Sequence, residues 1–102
     1  MTGFKLAESL TVRDLAEFSE IARHALADTE SINIDGTHVG QIDILGLQAI
    51  VSLAGLASST GRTCDVLIDR AGAVDKALVL FGFRQPDEVH APAPYHYREM
   101  AS

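Results

Sequence analysis

The chain has 102 residues, 47% hydrophobic and 22% charged, a balance that suits one domain with a single core and leaves no room for a second. Its 8 Lys and Arg against 14 Asp and Glu give a formal net charge of -6. The cations are scattered, which argues against a nucleic-acid ligand, because phosphate-backbone binding needs a basic patch. The lone cysteine, Cys64, excludes an intramolecular disulfide. Lys5 and Glu8 interrupt any apolar leader, so a cytoplasmic location is expected.

Phe4, Leu6 and Leu10, with Lys5 and Glu8 between them, alternate approximately and predict one half-buried N-terminal strand. Thr11 is placed to cap a first helix, with Asp14 three residues on completing a capping-box arrangement. Val12, Leu15, Phe18, Ala22, Ala25 and Leu26 share one face of that helix. Arg13, Glu17, Glu20 and Arg23 fall largely outside it, so it should lie on a sheet. Polar residues Asp28, Thr29 and Glu30 close it, and Ser31 to Asp35 alternates as a strand that Gly36 ends.

After a loop through Thr37, His38, Val39, Gly40 and Gln41, Asp43 is positioned to cap a second helix running to about Thr60, with Gly61 suited to a left-handed stop. Thr63 to Asp69 predicts a buried strand, and about Gly72 to Phe81 a third helix with Val74, Ala77, Leu78 and Phe81 on its apolar face and Gly82 closing it. Strand and helix therefore alternate in the order βαβαβα, which predicts an α/β domain with a mostly parallel or mixed sheet over residues 1–83. Pro86, Pro92 and Pro94 mark residues 84–102 as an extended tail, with an edge strand near Asp87 to Ala91 or docking through Tyr95 and Tyr97 as its ways of attaching.

The second helix is the unusual element, because Ile44 to Gly61 carries no charged residue. That run reaches the length, about 18 residues, at which a membrane span must be considered. Gln48, Ser52, Ser58, Ser59 and Thr60, with glycines at 46, 55 and 61, make it too polar to insert alone. At 100° per residue, Leu47, Ile50, Val51, Ala54 and Ala57 form a core-facing arc, while Leu45, Gln48, Ala49, Ser52 and Leu56 form the opposite one. An outward arc without charge is the composition of a protein contact, with Ile44 at its rim.

Catalytic signatures are weak. His24, His38, His90 and His96 have no second ligand at a spacing typical of zinc, Cys64 sits inside a strand where a thiol packs, and no Gly-rich phosphate loop follows a strand. Asp35 and Asp43 fall at one sheet edge and would approach for cation binding or proton sharing, although turn and cap duties account for both.

Leu10-Thr11-Val12, the segment Ile32 to Val39, and Gln41-Ile42-Asp43-Ile44-Leu45-Gly46-Leu47 resemble a STAS domain, the family of sulfate-transporter tails and bacterial anti-sigma-factor antagonists. In that family the third segment runs hydrophobic residue, Asp, Ser or Thr, a small residue, Gly, Leu. The resemblance covers about residues 4–83 and implies a non-enzymatic signalling module without a cofactor. In switchable members the residue after the Asp is phosphorylated; here it is Ile44, which has no hydroxyl, and Leu45 cannot substitute. Thr37 and Ser52 keep hydroxyls nearby, without that role in the resemblance.

The resemblance implies a protein partner: a kinase-like anti-sigma factor, a histidine kinase in a chemotaxis role, or a scaffold of a stressosome-like assembly, with homo-oligomers compatible. A cytoplasmic subunit of a lipid-transport ABC complex and a nucleotide sensor are the competing classes. The expected partner-binding residues are Thr37, His38, Gln41, Asp43, Ile44, Leu45, Gln48, Ala49, Ser52 and Leu56. Without the phosphosite, that surface should be permanently neutral, since no phosphate can add its two negative charges at the helix start.

Overall fold

Alternating apolar residues in the short strands, and a 3.6-residue apolar repeat in the segments between them, assemble in a computed structural model that describes residues 2–28 and 31–98. The order is β1 (Thr2–Lys5), β2 (Ser9–Leu10), α1 (Leu15–Asp28), β3 (Ser31–Asp35), β4 (Gln41–Ile42), α2 (Ile44–Ser59), β5 (Thr63–Ile68), α3 (Ala73–Leu80) and β6 (Tyr95–Tyr97). Four strands form one parallel sheet in the order β1-β3-β5-β6, and β2 pairs with β4 in a second parallel pair. The described residues form a single α/β domain with three α-helices.

The large sheet adds its strands in chain order, always in one direction. Right-handed crossovers then place every connecting helix on the same side. Burial follows: Ile32 and Ile34 of β3, and Val66 and Ile68 of β5, are buried in a core shared with Phe18 of α1, Leu47 and Ile50 of α2 and Leu78 of α3. The intervening residues face away from the helices. Lys5, Thr63, Asp65 and Leu67 are exposed and Asn33 is half-buried, and a shallow concavity of about 720 Å³ lies on this uncovered side.

Several boundaries differ from the sequence expectation. The N-terminal segment is two short strands rather than one, because the chain leaves the large sheet after Lys5 and Leu10 pairs instead with Ile42. Phe4 lies in β1, but its side chain, like Thr29 and Glu30, falls outside the described residues. A 3-10 turn over Val12–Asp14 precedes α1, pinned by the Asp14 carboxylate, which accepts from Thr11 N at 2.9 Å and Ser9 Oγ at 3.0 Å. That turn shifts the helical phase, so Val12 is 57% exposed instead of joining the core face. On α3, Val74, Ala77 and Leu78 are buried as expected, whereas Phe81 is exposed.

The proline-containing segment adds its edge strand at Tyr95–Tyr97, beyond the expected Asp87 to Ala91. A buried carboxylate explains the position. Asp75, 2% exposed, accepts from Ala71 N at 2.8 Å and from the Tyr97 hydroxyl at 2.7 Å. Arg84 adds Nη2 at 3.2 Å from Oδ2 and, as an ion-pair contact, Nε at 2.9 Å from Oδ1. Arg70 stacks on the Tyr97 ring at 4.1 Å, and Arg98 pairs with Asp69, with Nε 2.9 Å from Oδ1. These contacts hold the last strand against β5.

Candidate functional site

The region between β3 and α2 is built from short-range hydrogen bonds that the sequence encodes locally. Asp35 Oδ1 accepts from Thr37 N at 3.0 Å and from Thr37 Oγ1 at 2.6 Å, closing a turn as β3 ends. The Thr37 hydroxyl, and after it the Thr37 N–H, lower the Asp35 pKa against its partial burial. His38 Nε2 stands 3.8 Å from the other carboxylate oxygen and is exposed. Val39 is buried, and Gly40 N and Gln41 N both donate to Glu8 O, at 2.7 and 3.0 Å, which docks the loop on the N-terminal segment.

Asp43 begins α2 as its N-cap. One carboxylate oxygen accepts from Gly46 N at 2.8 Å, and the other from Val12 N at 3.1 Å. One acid therefore satisfies donors at the start of two helical segments. Gly46 sits against the backbone of β2: a Cβ there would collide with the Leu10 carbonyl. Only glycine permits this approach, which fixes where the helix starts relative to Leu10.

Along α2, Gly46, Leu47, Ile50, Leu53 and Ala57 are buried. Leu47, Ile50 and Ala57 match the expected core arc, while Val51 and Ala54 are only half-buried, and Leu53 takes a core place the sequence reading did not assign. On the outward side Leu45 is 43% and Leu56 51% exposed, and Gln48 and Ser52 between them are exposed. Ala49 is half-buried against the core, and Ile44, Thr37 and Asp43 are half-buried at the start of the helix, with Gln41 exposed.

Of the ten expected contact residues, those on α2 form a strip rather than a pocket, whereas Thr37 and His38 gather at Asp35 and Gln41 at Glu8. Ile44 and Leu56 are twelve positions apart, about 18 Å along the axis. A groove of about 320 Å³ between α1 and α2 runs beside it, with Phe18, Ala22 and Leu26 on one wall and Ala49, Ser52 and Leu56 on the other. Val12, 57% exposed and with its N–H held by Asp43, adds apolar surface near the start of α2. This was hidden in the sequence, where Val12 was counted with the core.

Thr37 occupies one oxygen of Asp35, Gly46 N and Val12 N occupy the two of Asp43, and among the described residues no group of three His, Cys, Asp or Glu side chains is arranged to hold a metal ion. His24, His38, His90 and His96 are all exposed. Cys64 is half-buried in β5, and burial raises its thiol pKa. Among the described residues no helix is long and apolar enough to cross a membrane. Comparison with protein-family models, with curated proteins and with solved structures finds no match for this chain.

Proposed function

We propose that the chain is a non-enzymatic, STAS-type protein–protein interaction module of bacterial cytoplasmic signalling, similar to anti-sigma-factor antagonists but without their phosphorylatable Ser or Thr. The observation that carries this reading is the outward strip of α2. An amphipathic helix that merely covers a sheet turns charged residues to water. Here Leu45 and Leu56 are about half exposed with Gln48 and Ser52 between them, and no charge lies on the helix at all. Charge depletion around a few apolar anchors is the composition of an interface core.

The family resemblance supplies the direction of the argument at position 44. Asp43, at the motif's acid, caps the helix, and Gly46, at the motif's glycine, makes the close approach to Leu10; Leu45 stands where the motif has a small residue. Ile44 has no oxygen to carry a phosphate, so the surface stays neutral and the module binds constitutively or under another control. The partner class that fits is a kinase-like anti-sigma factor or histidine kinase; an ABC-complex ATPase is the competing partner.

The test is capture from native cells with wild type, Leu45→Glu and Ile44→Asp, the bound proteins being identified by mass spectrometry. A new carboxylate desolvated within an interface core should weaken binding by about 2 kcal/mol or more. A kinase-like ATPase recovered by wild type and lost from both variants supports the proposal. Recovery of the same proteins by all three removes the strip as the docking surface, and an ABC ATPase lost from the variants transfers the module to transport.

A further inference from the structure

The outer strip of α2 has a spacing that its composition alone does not reveal. Leu45, Ala49, Ser52 and Leu56 follow one another at intervals of four, three and four residues. On a helix they fall within about 60° of arc, the narrow seam along which two helices pack knobs into holes. Leu45 is 43% and Leu56 51% exposed, Ser52 is exposed and Ala49 half-buried, so the core does not consume this seam.

The seam is also its own complement. Read backwards it repeats the same intervals, and in an antiparallel pair whose facing positions sum to 101, Leu45 meets Leu56 of a second copy and Ala49 meets Ser52. Large residues stand at the ends and small ones at the centre, which lets the axes approach to about 8 Å, the close end of helix packing. The second copy's Leu45 then lands beside Leu56, at the groove whose walls include Leu26 and Leu53. A parallel pair would bring two Asp43 carboxylates together at the helix starts. The antiparallel pair sets each Asp43 opposite the other copy's Ser58 and opposes the helix dipoles favourably.

Charge favours this face for a like molecule. Each chain carries a formal net charge of -6, so two copies repel through most of their surfaces. That repulsion is least at α2, which has no charged residue. A standard stable interface buries about 800 Å² per partner, and a seam about 16 Å long supplies less. The resulting pair is weak and exchangeable.

We propose that a second copy of this chain occupies the strip, α2 against α2 in antiparallel register, as a dissociable dimer. It competes for the surface assigned above to a different protein, but it needs only the purified chain, so its failure and that of the partner reading are separate results.

Sedimentation equilibrium of the purified chain from about 10 μM to about 1 mM should show monomer in exchange with dimer, as a small interface predicts. Salt should strengthen the dimer, because screening removes the general repulsion while the seam has no ion pair to lose. Leu45→Glu and Leu56→Glu should each weaken it about tenfold or more. In a Cys64→Ser background, oxidising a mixture of Leu45→Cys and Leu56→Cys proteins should link one to the other. Neither should link to itself, since equal positions lie about 16 Å apart along the paired axes, beyond the reach of a disulfide.

A monomer across the whole concentration range overturns the proposal, as does a dimer that either glutamate leaves intact or that salt dissociates. Self-linking of Leu45→Cys overturns the antiparallel register. Should a glutamate variant fail to fold, the cysteine mixture decides.

Discussion

Helices α1 and α2 rest on the same side of one sheet and contribute to one core, yet they present different chemistry to the surroundings. The exposed surface of α1 carries Glu17, Glu20 and Arg23; that of α2 carries Leu45, Gln48, Ser52 and Leu56. Folding alone demands only the inner faces, which are equivalent. The outward difference is therefore a property that the core does not impose, and it is the reason α2 is proposed as the binding face. Their starts differ too: Asp14 closes a 3-10 turn before α1, whereas Asp43 caps α2 and also holds Val12 of that turn.

The largest effect should come from the close approach that only α2 makes. Gly46→Ala forces a Cβ into the Leu10 carbonyl and should destabilise the fold by about 3 kcal/mol in chemical denaturation. Gly55→Ala in the same helix has open space and should stabilise by about 1 kcal/mol. Equal and small effects at both glycines would remove the argument that α2 is pinned at its start.

Next in size are the caps. Asp43→Ala abandons two backbone donors and should cost about 2 kcal/mol, and Asp14→Ala less, measured by the same denaturation midpoints. A reversed order would mean that the two-helix role of Asp43 adds nothing. Smaller still is the stability change in Leu45→Glu, within about 1 kcal/mol, matching Glu17→Lys on α1. The comparison sharpens if only the α2 change abolishes partner capture, and breaks if the α1 change does so equally.

The smallest effect is on acid stability. The Thr11 N–H at Asp14, and the Thr37 hydroxyl at Asp35, each lower a pKa below the ordinary value of 3.8. Carboxylates lowered on folding contribute stability that is complete above the unfolded value and is lost as pH falls through the folded one. Thr37→Val should move Asp35 up toward 3.8 and leave Asp14 in place, as read by NMR titration of the two side-chain carboxyl carbons. If Asp35 did not move, its turn would be held by something other than Thr37.

Sequence carries the features that local chemistry decides. The capping role of Asp43, the positive φ of Gly61 and Gly82, and most of the two arcs of α2 follow from residue type and helical spacing. The β2 and β4 strands were illegible because two residues have no period and their pairing depends on a distant partner. The burial of Asp75, in the first turn of α3, depends on Arg84 and Tyr97, which only the folded chain brings together. Docking through Tyr95 and Tyr97 was legible as one of two alternatives, but not that it takes the form of a strand paired with β5. Val12 was misassigned because a 3-10 turn advances its side chains faster than the α-helical count allows.

The one-sided placement of the helices has a consequence for which substitutions the chain tolerates. In a parallel sheet covered on both sides every strand position is constrained, whereas here constraint should alternate residue by residue. A saturation-mutagenesis map of β3 and β5 should reject polar replacements at Ile32, Ile34, Val66 and Ile68 and accept them at Asn33, Thr63 and Asp65. Room for sequence drift thus lies on the bare side of the sheet, where new side chains can accumulate without disturbing the helices behind it.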